Sequence, residues 1–167
     1  MSDLDYILAQ MRRETDALGF IPEPTLRQRF IRRDLYQIIR DGRGRRTGYV
    51  IHGPPRSGRP LFLHQTLVEL DRRRRHHAQR AIDAIARQGL AAGSTELRLR
   101  CGMDLEANAF WQAIGFHLVA IETGGNRRNR ILAIYRFPLE PRQTLWPPAS
   151  RPTRHQVPQA QSTAHPA

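Results

Sequence analysis

Three side chains in this 167-residue sequence have the type and setting to move a proton: His64, Glu69 and Glu122. An unperturbed histidine has a pKa of about 6.5, which suits a general base near neutral pH. His64 and Glu69 lie on one apolar run, residues 61–70, that reads as a central strand. The plainer reading of each stays open. A strand histidine can be packed and hydrogen-bonded, Glu69 can pair with an arginine, and Glu122 can face solvent. Cys101, the only cysteine, reads as a small buried hydrophobe. One cysteine excludes an internal disulfide framework and a cysteine-rich zinc site. His76 and His77 are adjacent and diverge at a helix start, so they chelate poorly and no metal is expected.

The cations are unusual. All 27 are arginine, against 15 acidic residues, for a formal net charge of +12. The absence of lysine excludes lysine Schiff-base chemistry and a P-loop lysine. Residues 53–60, GPPRSGRP, imitate the start of a phosphate-binding loop. Arg59 replaces the required lysine, Pro60 replaces the metal-holding hydroxyl, and a strand pattern follows where a helix is needed. That segment reads as a hairpin loop with a basic rim. Net positive charge attracts phosphate-bearing ligands, nucleic acid and anionic surfaces alike, and GC-rich codon usage also produces an all-arginine set. A sharper anion site is the junction at residues 72–78, where four arginines and two histidines precede a helix. Helix starts expose orphan N–H groups and the positive end of a dipole. A solvated basic turn is the alternative.

Periodicity supplies the elements that must position these groups. Leu4, Ile7, Leu8, Met11, Thr15 and Leu18 predict one helix, stopped by Gly19. A short helix follows at residues 25–33, then strands at 35–39, 47–52 and 61–70. Ala78, Ala81, Ile82, Ile85, Ala86 and Leu90 share a helical face. Residues 95–101 alternate, with Leu97, Leu99 and Cys101 on one face and Glu96, Arg98 and Arg100 on the other. Ala107, Phe110, Trp111 and Ile114 predict a helix capped at Gly115, and residues 117–123 and 131–137 predict a hairpin. The order α α β β β α β α β β predicts an α/β (α+β) fold, a mixed central sheet flanked by helices. One domain is expected over residues 3–139. Residues 140–167 form a Pro-rich tail, read as disordered, with Trp146 as its one potential anchor. The N-terminal segment does not read as a signal peptide, and no run reaches the roughly 20 apolar residues of a membrane span. The expectation is a cytoplasmic protein with no membrane partner.

The order and two segments resemble the GNAT superfamily of acyl-CoA N-acyltransferases. In that family a strand ending in Val leads to a Gln/Arg-x-x-Gly-x-Gly/Ala loop. Here Val68 leads to Arg73, Arg74, Arg75, His76, His77 and Ala78. A later family segment, Asn-x-x-Ala-x-x-x-Tyr/Phe-x-x-x-Gly-Phe, is matched by Asp104, Ala107, Trp111, Gly115 and Phe116. The phrase Leu18-Gly19-Phe20-Ile21-Pro22 is also similar, and the likeness spans residues 4–137. His76 stands where the family has glycine, Asp104 where it has Asn, and Trp111 at the family Tyr position near the thioester sulfur.

The resemblance implies acetyl-CoA as co-substrate and a primary amine, on a small molecule or a protein, attacking it directly. It implies that the pantetheine arm adds to the central strand near Leu67 to Leu70, with Leu67 and Val68 binding it. The pyrophosphate would rest on backbone N–H groups from about Arg74 to Ala78, with Arg73, Asp104, Ala107 and Trp111 also lining the cofactor. His64, Glu69 and Glu122 are the candidates for the base, and Trp111 stands at the family Tyr position. Two other functions stay open: a basic nucleic-acid-binding module and a non-catalytic acyl-CoA-binding protein. A homodimer is also open.

Overall fold

The structure, a computed structural model, describes residues 1–124 and 130–140. Trp146, the tail beyond Glu140 and the middle of the last hairpin turn lie outside the described residues.

Ser2 opens helix α1 (Asp3–Arg13) with a capping box to Asp5, and Leu4, Ile7, Leu8 and Met11 are buried as their spacing requires. The single helix predicted to reach Leu18 breaks at Glu14 (φ −109°, ψ 25°), and α2 (Thr15–Leu18) follows. The Thr15 hydroxyl donates back to the Met11 and Arg12 carbonyls at 2.9 and 3.1 Å. Such back-bonding competes with the helical ladder and bends it. Helix α3 (Glu23–Arg29) then ends early, and its predicted last turn is a 3-10 turn at Ile31–Arg33.

Six strands form one sheet: β1 (Tyr36–Arg40), β2 (Arg46–His52), β3 (Leu61–Val68), β4 (Glu96–Gly102), β5 (His117–Thr123) and β6 (Ile131–Pro138). Their order is β1-β2-β3-β4-β6-β5, and only β3 and β4 run parallel. A parallel pair needs a crossover, and α4 (His77–Ala91) provides it. Helix α5 (Ala107–Ala113) links β4 to β5. Strand β3 stops two residues short of the predicted end, because Leu70–Arg72 turns into a 3-10 turn.

Each face of the sheet carries its own core. Leu61, Leu63, Ile82, Ile85, Leu97 and Leu99 pack beneath α4. Ile7, Met11, Leu26, Tyr49, Ile51 and Leu67 pack beneath α1 and α3. Leu63 and Leu67 belong to opposite cores although strict alternation would put them on one face. The register explains this: Gln65 pairs with Ile51 and Leu63 with His52, so His64 is an extra, unpaired residue. A one-residue bulge turns the rest of the strand over.

Candidate functional site

Strands β3 and β4 pair only at Leu61–Leu97, Phe62–Arg98 and Leu63–Leu99. Beyond the bulge they part. β4 keeps β6 as partner and β3 keeps β2, so among the described residues one backbone edge of β3 has no strand beside it from His64 to Val68. A cleft of about 910 Å³ opens there. Thr66, Leu67 and Val68 form its floor, the start of α4 one wall, residues 104–107 with Phe110 and Trp111 another, and Glu14, Ala17 and Leu18 a third.

The wall at α4 combines a helix start with Arg72, Arg73 and Arg74. His76 precedes the helix with no side-chain cap, so the first α4 N–H groups lack intrahelical acceptors. His76 and Arg74 take left-handed backbone conformations, φ 58° and 60°. His76 thus holds the conformation that a glycine would adopt without cost, at about 1–2 kcal/mol of strain. Arg73 folds back and donates from Nε to the Val68 carbonyl at 3.0 Å, capping the end of β3. His77 is buried, and its Nδ1 meets Arg80 Nη2 at 2.7 Å. Burial first, then the charges of Arg80 and Arg75, push its pKa down.

The opposite wall lacks the expected polar group. Trp111 is only 6% exposed and packs edge-on against Phe110 and Phe116. Burial raises the pKa of the Cys101 thiol, which donates to the Gly102 carbonyl at 3.6 Å. Asp104 is held by both ends of Arg130, Nε to Oδ1 at 2.8 Å and Nη2 to Oδ2 at 2.7 Å. That pairing holds the Asp104 carboxyl below its ordinary range.

No family model matches the sequence, and no curated protein matches it. Solved structures do. Ard1 from Thermoplasma volcanium superposes with a TM-score of 0.69 at 14% identity, covering 83% of this chain and 92% of that one. A GNAT-family protein from Desulfovibrio desulfuricans gives 0.61 at 16% identity over 83% and 93%. An aminoglycoside 6'-N-acetyltransferase solved with coenzyme A gives 0.66 at 12% identity over 84% and 92%.

The chain has the GNAT fold.

Within this GNAT fold, Leu67, Val68, Arg73, Arg74, His76, His77, Ala78, Asp104, Ala107 and Trp111 all line that cleft. Arg75 does not. The expected bases lie elsewhere. The bulge turns His64 onto Phe30 and Phe62, with ring centroids at 5.3 and 6.4 Å, and it is absent from the cleft lining. Desolvation, then the nearby His52 and Arg29, lowers its pKa. Glu69 sits under α1, accepting hydrogen bonds from Tyr6 Oη at 2.8 Å and Gln10 Nε2 at 3.0 Å. Glu122 is exposed and pairs with Arg100 at 3.3 Å.

Three carboxylates line the GNAT-fold cleft: Asp104, which Arg130 holds, Glu106 and, at the helix break, Glu14. Among the described residues the Glu14 carboxylate has no hydrogen bond or ion pair, only an electrostatic influence on the buried Tyr49 hydroxyl. The helical spacing of residues 4–18 hid it, because an unbroken helix gives Glu14 no special place.

Proposed function

We propose that the protein is an acyl-CoA-dependent N-acyltransferase that moves acetyl from acetyl-CoA to a primary amine. The unpaired edge of β3, running to the uncapped start of α4, carries this reading. It fits the co-substrate in two ways. An extended pantetheine amide chain can hydrogen-bond to a strand edge, and a pyrophosphate suits free N–H groups at a helix start. Leu67 and Val68 would hold the arm, while the backbone from Arg74 to Ala78 would hold the pyrophosphate, with arginine charge around it. Acetyl-CoA supplies an activated acetyl group and a thiolate leaving group of pKa about 8.5, which needs no strong acid.

The residues of the chain do the rest by positioning. The Val68 region presents backbone N–H to the thioester carbonyl oxygen. Glu14 accepts the proton that the acceptor ammonium must lose before its nitrogen can attack. Trp111 excludes water and shapes the wall without donating a proton. A single buried cysteine and an acyl-CoA donor suit a cytoplasmic setting. Among the described residues, no helix is long and apolar enough to cross a membrane.

Thermal denaturation with acetyl-CoA, coenzyme A and a short DNA duplex, each at two salt concentrations, tests the reading. Acetyl-CoA at 100 times its dissociation constant should add about 2.7 kcal/mol. Equal stabilisation by DNA that vanishes in moderate salt would favour a nucleic-acid-binding module. Tight acetyl-CoA binding without transfer to any amine would favour a sensor.

A further inference from the structure

Arg130 joins two walls of the cleft that are far apart in sequence. Its Nη1 donates to the Asp16 carbonyl at 2.8 Å and the Ala17 carbonyl at 3.4 Å, both on α2. Its Nε and Nη2 grip Asp104, on the turn after β4, in a two-bond fork. Ala17 and Asp104 each line the cleft. The guanidinium lies over Gly102, where a Cβ would come within 2.6 Å of Arg130 Nε and 2.7 Å of Asp104 Oδ1. So the bare backbone at the end of β4 makes room for this bridge. Gly102 pairs with Leu132, in register with Glu122, while its neighbour Cys101 packs into the core beneath α4 and α5. The bridge therefore spans the cleft on the α1 side of the sheet, away from the α4 wall proposed for the pyrophosphate.

We propose that Arg130 is a specificity-determining residue that fixes the width of the acceptor passage. It pins α2, and with it the Glu14 break, against the turn at Asp104. The passage then admits a slender amine on an unbranched carbon chain and excludes amines with bulk next to the nitrogen. This rests on the acyl-transfer reading above. Arginine suits the role because it satisfies a carboxylate and two carbonyls at once, which an ammonium cannot do in a fixed plane. The bridge is electrically neutral as a unit, so it narrows the passage without placing a net charge in the path of a cationic acceptor.

Binding of coenzyme A and of two acetyl-bridged coenzyme A conjugates, one to n-butylamine and one to benzhydrylamine, tests this by calorimetry. The native protein should bind the butylamine conjugate about tenfold more tightly than the bulky one. Arg130→Gln removes the fork, and Gly102→Ala displaces it while leaving both charges in place. Both variants should lose most of that preference while keeping the affinity for coenzyme A. An unchanged preference in the two variants, or none in the native protein, overturns the proposal. Loss of coenzyme A binding in both variants also overturns it, because the bridge would then serve the cofactor site. Native protein that binds no coenzyme A sinks the acyl-transfer reading itself, and this one with it.

Discussion

Tyr6 donates its hydroxyl proton to Glu69 Oε1 at 2.8 Å, tying the first helix to the residue that follows β3. Gln10 Nε2 adds a second bond at 3.0 Å from the next turn of α1. Burial and this carboxylate push the Tyr6 pKa well up, so the phenol stays protonated and the bond is permanent at any physiological pH. The Glu69 carboxylate is thereby committed to structure. Glu69→Gln should keep acetyl transfer within a few-fold of native. Glu69→Ala should cost about 1–3 kcal/mol in urea unfolding, because two buried donors lose their acceptor. A hundredfold loss of kcat in the glutamine variant, with stability intact, would return Glu69 to the chemistry.

Glu14→Gln should lower kcat by about 10²–10⁴, the range for a general base, with the acetyl-CoA-induced shift in melting temperature preserved. Activity should recover in part at higher pH, where more of the acceptor amine is already neutral. Native-like turnover at pH 7 would remove Glu14 from the mechanism.

Replacing His76 relieves strain at the proposed pyrophosphate site. His76→Gly gives up a left-handed cost of about 1–2 kcal/mol and loses roughly 0.5–1 kcal/mol to the freer unfolded chain. The melting temperature should therefore hold or rise slightly. Affinity for acetyl-CoA should rise several-fold, since no Cβ then limits approach to the backbone. A weaker affinity would show that the imidazole itself makes a needed contact.

Trp111→Ala should destabilise the protein by about 3–5 kcal/mol, as for a buried aromatic cut to a methyl. Trp111→Phe should keep most turnover, because an aromatic ring still packs against Phe110 and Phe116. A large kcat loss in the phenylalanine variant at unchanged stability would assign the indole a chemical role.

Three histidines make stability depend on pH in one direction. His52, His64 and His77 all have lowered pKa values, with desolvation as the first cause. The unfolded chain then binds more protons than the folded one below about pH 6.5. Their contribution is present in full above that value and is lost as the pH falls through the lower folded-state pKa values. The melting temperature should therefore fall between pH 7.5 and 5.5. His52 is buried with Nδ1 2.8 Å from the Gly53 carbonyl. His52→Asn, which keeps a side-chain donor, should flatten part of that slope; an unchanged slope would exonerate it.

The element order and the helix and strand faces were legible in the sequence, because residue spacing encodes burial directly. Leu97, Leu99 and Cys101 alternate into the core, and Ala81, Ile82 and Ile85 return every helical turn. The strand-to-helix junction at Val68 and the segment from Asp104 to Trp111, which both line the cleft, were legible as segments too, since each is contiguous in sequence. Tertiary structure alone decided the rest. His64 was a candidate base until pairing with β2 skipped it and turned its ring onto Phe30 and Phe62. Glu69 became an acceptor for α1 because two helix residues near the N-terminus close on it. Glu14 reached the cleft because a hydroxyl one residue later pulled the helix apart. Asp104 and Arg130 found each other across the sheet. A bulge register, a helix break and a long-range ion pair each depend on energies shared between distant segments. Local periodicity records which face a residue prefers, but not which of several available partners finally meets it there.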